Sequence, residues 1–312
     1  MYYITENRLG ALVKFAITFP IIATAAHSGA NYGNIWYSIA VGQSKPGYKE
    51  RKMERDIEAI CALVRECGRS IKDIDRATLQ IDSKAGHANF VTDCDRKVQD
   101  RLRSGLLKTM PDAHFIGEEG TTQEFSPKGK FFIVDPIDGT TNFIKDFRAS
   151  CISVALVVDG AAELGAIYNP YLDEMFTARR GQGAFCNGKR IHVSSEPLEN
   201  GLVVFGTSPY NEELSERSFK LAYSYFKKSI DVRRTGSAAL DMCSVAAGRA
   251  ELFFELSLSP WDYAAGALIV EEAGGIVTDI DGNALAYGRK SSVLARNRAA
   301  RPIERDAAQS EL

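Results

Sequence analysis

The sequence predicts a layered α/β fold, and three of its features do so. Apolar residues recur at helical spacing from Ile57 to Ile71. Short strands joined by tight turns fill residues 151–193, and from residue 202 to 295 strands and helices alternate. Mixed sheets with helices between them pack as layers around apolar cores.

Taken in order, Ile57, Ile60, Cys61, Val64, Cys67 and Ile71 mark one buried helical face. A second helix is predicted from near Thr92 through Val98, Leu102 and Leu106, ending before Pro111. His114–Ile116 reads as a short strand running into Gly117-Glu118-Glu119. Phe131–Val134 reads as a buried strand that ends abruptly in polar sequence. Cys151–Val158 and Glu163–Tyr168 flank Asp159-Gly160, a hairpin signal. Glu174–Ala178, Ala184–Cys186 and, past Asn187-Gly188, Arg190–Val193 complete a meander. The alternation that follows is strand Leu202–Phe205, helix Glu212–Lys227, strand Ile230–Arg233, helix Ser237–Ala247 and strand Glu251–Phe254. Helix Pro260–Ala273, stopped by Gly274-Gly275, then leads to strands Ile276–Thr278 and Ser292–Ala295.

Composition narrows the function. The chain has 312 residues, 45% hydrophobic and 25% charged, with a net charge of -2. That length buries a sizeable core without staples. No Lys/Arg stripe stands out, which argues against nucleic-acid binding. The six cysteines form no CxxC pair and read as reduced core residues of a cytoplasmic protein. Four scattered histidines, in no HExxH arrangement, argue against a histidine-built zinc site.

Residues 1–52 stand apart from the rest. Leu9–Ala26 is apolar, but Lys14 and Pro20 interrupt it, so no membrane span is expected. The small residues Ala23–Ala26 resemble a signal-peptide end, behind a weak basic region in which Glu6 balances Arg8. The favoured readings are a poorly ordered extension, or sequence translated ahead of a true start at Met53.

The chemistry concentrates in Asp135-Pro-Ile-Asp-Gly-Thr-Thr-Asn-Phe143. Two carboxylates leave a buried strand three residues apart, and the proline between them is expected to force a turn that makes Asp135 and Asp138 converge. Gly139 permits close backbone approach, and Thr140 and Thr141 offer hydroxyl and N–H groups to an anion. Oxygen ligands without His or Cys select magnesium, manganese or calcium. Glu118-Glu119 alone reads as solvated surface. Asp262, in Ser259-Pro-Trp-Asp262, has the spacing of a helix capping box, and Thr92/Asp95 has the same spacing. Each of these acids therefore has a structural reading beside a functional one.

The blocks GEE (117–119), DPIDGTTNF (135–143) and SPWDYAAGALIVEEAGG (259–275) resemble the inositol monophosphatase family of lithium-sensitive phosphatases. NFVTDCD (89–95) and RRTGSAALDMCSVAAGRAELFFE (233–255) agree, and the similarity covers roughly Met53 to Ala295. The resemblance implies an αβαβα sandwich, a catalytic domain over 53–300 with a tail over 301–312, and a homodimer. It implies that Glu118, Asp135 and the Ile137 carbonyl bind a first Mg2+. Asp135, Asp138 and Asp262 would bind a second, and a weaker third ion would lean on Glu118. Thr140, with Asp95 behind it, is similar to the pair that orients the attacking water, which makes Thr140, Asp95 and Glu118 the catalytic set. The phosphate would be held by Gly139 and Thr140 beside Asp138 and Asp262, and a substrate hydroxyl by Glu255. Lys84 matches a family lysine near the metals, and Asp93 stands where relatives often carry Glu.

The implied reaction is magnesium-dependent hydrolysis of a small phosphate monoester, inositol-1-phosphate first, by direct attack of metal-activated water. The alternatives are a 3'(2'),5'-bisphosphate nucleotidase, a histidinol phosphatase or a fructose-1,6-bisphosphatase. A different class is a partner of transcription or RNA-processing machinery. Glu255 favours a neutral polyol, because an acid near the ring repels a second phosphate. Two other signals compete. Cys243 and Arg249 have the spacing of a cysteine phosphatase loop, and Asp279-Ile-Asp281-Gly-Asn283 resembles a calcium loop. Helix packing and a simple turn are the expected explanations.

Overall fold

The structure, a computed structural model, describes residues 48–83, 90–120, 124–209 and 211–303. Lys84 and residues 1–47 of the expected extension lie outside them.

Helix α1 (Tyr48–Lys72) begins upstream of Met53 and buries Ile60, Val64, Cys67 and Ile71. A short antiparallel pair follows, β1 (Ile81–Ser83) and β2 (Phe90–Thr92). Helix α2 (Asp93–Thr109) starts at the Thr92 N-cap, where Thr92 and Asp95 form a capping box, and buries Val98, Leu102 and Leu106. Both helices lie on one face of a seven-stranded sheet.

That sheet contains β3 (His114–Gly117), β4 (Lys130–Asp138), β5 (Cys151–Val158), β6 (Ala161–Asn169), β7 (Glu174–Arg179), β8 (Gly183–Cys186) and β9 (Lys189–Ile191), in sequence order. Only the β3/β4 pair is parallel. Between β4 and β5 runs a one-turn helix, α3 (Thr140–Ile144). After residue 200 come β10 (Leu202–Phe205), α4 (Glu212–Phe226), β11 (Asp231–Arg233), α5 (Ala238–Ala246), β12 (Leu252–Leu258), α6 (Pro260–Glu272), β13 (Ile276–Thr278) and β14 (Ser291–Arg296). Their five strands form a second sheet in the order β11-β10-β12-β14-β13, parallel across β11, β10 and β12, with β14 antiparallel to both neighbours.

Helices α5 and α6 pack between the two sheets, and α4 covers the far face of the second. The layers are therefore αβαβα, as the resemblance implied. Helix α6 shows why its sequence has no polar stripe. From Tyr263 to Val270 every residue is buried, because there is a sheet on each side. It also runs close to β6. A Cβ on Gly165 would lie 2.7 Å from the carbonyl oxygen of Ala265.

One expectation is corrected. The strand read as ending at Val134 continues to Asp138, and Pro136 makes no turn. Asp135 pairs with Ser153 and Asp138 with Cys151, so three steps along β4 match two along β5. This is a β-bulge, where a residue without an N–H is tolerated. In a regular strand, residues three apart face opposite sides. The extra residue turns both aspartates to the same side. A second bulge lies between Glu255 and Leu258 on β12, which runs four residues beyond its expected end.

The competing signals resolve as packing. Cys243 is buried inside α5, and Arg249 makes a bidentate ion pair with Glu174. Asp279 accepts hydrogen bonds from the N–H groups of Asp281 and Asn283, closing a turn. All six cysteines are free.

The β6–α6 approach gives a stability test. Gly165→Ala forces the sheet and helix backbones apart, and a cost of about 1–3 kcal/mol is expected for such overpacking. Urea unfolding monitored by circular dichroism measures it, with the midpoint falling and the slope unchanged.

Candidate metal-binding active site

The β4 bulge, the end of β3 and the first turn of α6 converge on one cleft of about 730 Å³. Asp135 is buried, and its Oδ1 accepts a hydrogen bond from the Ile137 N–H at 2.9 Å. Asp138 is buried beside it. Its Oδ2 accepts from the Ser237 hydroxyl, from the Ala239 N–H at 2.8 Å and from the Cys151 thiol at 3.8 Å. Asp262 is the third residue of α6, and its Oδ2 accepts from the Ser259 N–H at 2.7 Å. The cap reading of Asp262 is therefore correct. It is also incomplete, because a carboxylate oxygen from each of Asp135, Asp138 and Asp262 lies within 4.8 Å of the others. A carboxylate has two oxygens, so capping a helix does not exclude facing an ion.

Glu118 follows β3, where its N–H donates to the Val134 carbonyl at 3.2 Å, and it lines the same cleft half-buried. The Asp95 reading is double in the same way. Its Oδ2 accepts from the Thr92 N–H at 2.8 Å, while the Thr140 hydroxyl stands 3.4 Å from its Oδ1 and 3.1 Å from the Ile137 carbonyl. Gly139 has φ +87°, and a Cβ there would lie 2.9 Å from the Ala149 carbonyl oxygen. Only glycine fits that position. Glu255 lies buried at the β12 bulge, its Oε1 accepting from the Ser208 N–H at 2.9 Å. Every described residue expected at the site is thus in or against one cleft.

Electrostatics make the cluster unstable as free anions. Burial, then Glu118, Asp138 and Asp262, push the Asp135 carboxyl far above the usual range. Asp262 is raised by burial, then by Asp138 and Glu118. Burial lifts Asp138 to about 6, against the lowering effect of its Ser237 and Ala239 donors. Asp95 is raised to about 6 and Glu255 to about 7, again chiefly by burial. An ionised set of this kind needs a cation. The donors are all oxygen and fit a hard ion such as Mg2+.

A family model described as the inositol monophosphatase family matches residues 52–311. The chain belongs to the inositol monophosphatase family. A Nus factor SuhB from Vibrio cholerae is 40% identical over 233 residues, covering 74% of this chain and 87% of the relative. Inositol monophosphatase 2 from Solanum lycopersicum is 38% identical over 242 residues, covering 74% and 89%. Among solved structures, an IMPase/NADP phosphatase complexed with Mg2+ and phosphate superimposes with TM-score 0.72 at 25% identity, covering 80% of this chain and 92% of that one.

Four cleft residues escaped the sequence reading. Asp241 is buried on α5 and accepts from the Thr235 hydroxyl at 2.6 Å, and burial keeps its carboxyl well above the usual range. Ser237 bonds Asp138. Arg234 and Lys290 bring positive charge to the cleft. The signal for Asp241 was an acid inside an otherwise apolar helix. Single surface-like cations such as Arg234 and Lys290 give no signal.

The raised acids fix a pH effect in the metal-free protein. In each, the folded pKa exceeds the unfolded value, so the folded state binds protons first as pH falls. Stability should therefore rise as pH drops from about 7.5 to about 5.5, through the shifted values, and Mg2+ added at the higher pH should recover it. Thermal melts of chelator-stripped protein, with and without Mg2+, check this. A flat profile without metal would count against a strained acidic cluster.

Proposed function

We propose that this chain is a magnesium-dependent phosphomonoesterase whose substrate is a polyol phosphate, inositol-1-phosphate in the first instance. One observation carries the reading: Asp135, Asp138 and Asp262 converge within 4.8 Å in a cleft that also holds Glu255. Glu118, Asp135, the Ile137 carbonyl, Asp138 and Asp262 would hold the magnesium ions. When bound, magnesium neutralises the phosphate dianion, lowers the pKa of water and stabilises the leaving oxygen.

The chain's own groups do the rest. The Thr140 hydroxyl donates its hydrogen bond to Asp95 and keeps its proton, which leaves the threonine oxygen free to accept from the attacking water and frees the Ile137 carbonyl. Asp95 is held for this by the Thr92 cap, which occupies its other oxygen. Gly139, by turning left-handed, starts α3 at the wall of the cleft, where its first N–H groups would suit a phosphate. Glu255 accepts from a hydroxyl of the leaving alcohol.

Arg234 and Lys290 favour a second reading, in which the leaving group carries another anion, as in a bisphosphate nucleotidase. Phosphate release from a panel of inositol, nucleotide and sugar phosphates separates the two. The Nus factor name belongs to a relative, and a transcription partner role is weighed below an enzymatic one because the carboxylate set is complete. A homodimer is the assembly we propose.

Asp262→Asn tests the centre of the proposal. The substitution preserves shape and cap but removes a charge, so turnover should fall roughly a hundredfold or more. The metal-free melting temperature should hold or rise, as repulsion is relieved. Near-normal turnover at saturating Mg2+ would sink the assignment. Excess EDTA should abolish activity, whereas thiol alkylation should leave most of it, because burial pushes the Cys151 and Cys243 thiols well above their usual range.

A further inference from the structure

Asp138 is bound from one side only. All three of its hydrogen bonds fall on Oδ2, from the Ser237 hydroxyl, the Ala239 N–H and the Cys151 thiol, and none among the described residues falls on Oδ1. The Ser237 hydroxyl is shared. It donates to Asp138 and accepts from the Leu240 N–H at 3.3 Å, capping α5. Ser237 is 1% exposed, so the hydroxyl is almost wholly enclosed by protein groups. Cys151 Sγ also stands 3.7 Å away, but the Asp138 carboxylate is the far stronger acceptor for the hydroxyl.

We propose that Ser237 is a positioning residue for the metal centre, fixing the rotamer of Asp138 so that Oδ1 is presented to the cation. The inference rests on the reading of Asp138 as a metal ligand. A carboxylate held at one oxygen cannot swing into a bidentate mode, and its free oxygen is aimed before the ion arrives. Without the hydroxyl, the Ala239 amide and the long 3.8 Å contact from the Cys151 thiol hold the carboxylate less firmly against rotation. The hydroxyl supplies the second close contact. The same hydroxyl ties the first turn of α5 to the β4 bulge, so the middle helical layer sets the geometry of an acid on the seven-stranded sheet. Outer partners of this kind commonly change metal affinity by about tenfold or more when removed.

Titration of the metal-stripped full chain with Mn2+, followed by electron paramagnetic resonance, tests this without turnover. Ser237→Ala and Ser237→Gly should each weaken Mn2+ binding about tenfold, and Ser237→Thr, which keeps the hydroxyl, should restore it. The glycine variant keeps an acceptable helix cap, so it carries the test if the alanine variant fails to fold. Wild-type affinity in the alanine and glycine variants, with only the melting temperature altered, would overturn the inference and leave the metal centre standing. Loss of affinity in the threonine variant as well would overturn it too. Absence of Mn2+ binding in the wild-type protein would remove the metal reading itself.

Discussion

Three carboxylates at the cleft, Asp135, Asp138 and Asp262, stand with oxygens within 4.8 Å of one another and are largely out of water. Bringing like charges together in a poorly solvated place opposes folding. The surrounding structure is arranged to hold them there. The β4 bulge turns two of them to one side, a helix cap fixes the third, and a serine with two other donors fixes Asp138. Each acid is held through one oxygen by the chain, in a pattern that leaves the other to a cation. The strain is local, and two large apolar layers on either side of the seven-stranded sheet supply the stability that tolerates it.

Capping and coordination share residues here for a physical reason. The first turn of a helix carries unpaired N–H groups and a positive end, which favour a carboxylate. An acid so placed has lost most of its rotational freedom and keeps one oxygen that the cap does not use. Asp262 and Asp95 are both of this kind, and Asp138 sits at the first turn of α5 by the same logic from another strand. The choice between cap and ligand was therefore false for Asp262, where geometry supports both.

The layers were legible in the sequence because their helices and strands follow regular periods. β5, β10 and β13 match their expected bounds, and α2 starts at the cap that Thr92 and Asp95 announce. What was illegible had no period to read. β1 and β2 are three residues long, and β1 is exposed throughout. The one-turn α3 begins at a left-handed glycine rather than at a side-chain cap. At Pro136 the rule that proline breaks a strand was applied where a bulge removes the need for its N–H. That Asp135, Asp138 and Asp262 share one site was expected from the family resemblance their motifs carry, and their oxygens do cluster. Ser237 and Asp241 were not expected there, since what places them beside Asp138 and the cleft is the crossing of α5 over the sheet, and spacing carries no trace of that.

Helix α6 has no face turned to solvent between Tyr263 and Val270. A segment like this has nothing to shield it until both sheets exist, and its contacts join distant parts of the chain, which are the slowest to form. Asp262 rides on its first turn, whereas Asp135 and Asp138 belong to a strand made much earlier in the sequence. The three acids can meet only when the last layer has closed. A cation that binds all three would recognise the finished molecule and no partial one, so its binding energy would act on the whole folding equilibrium.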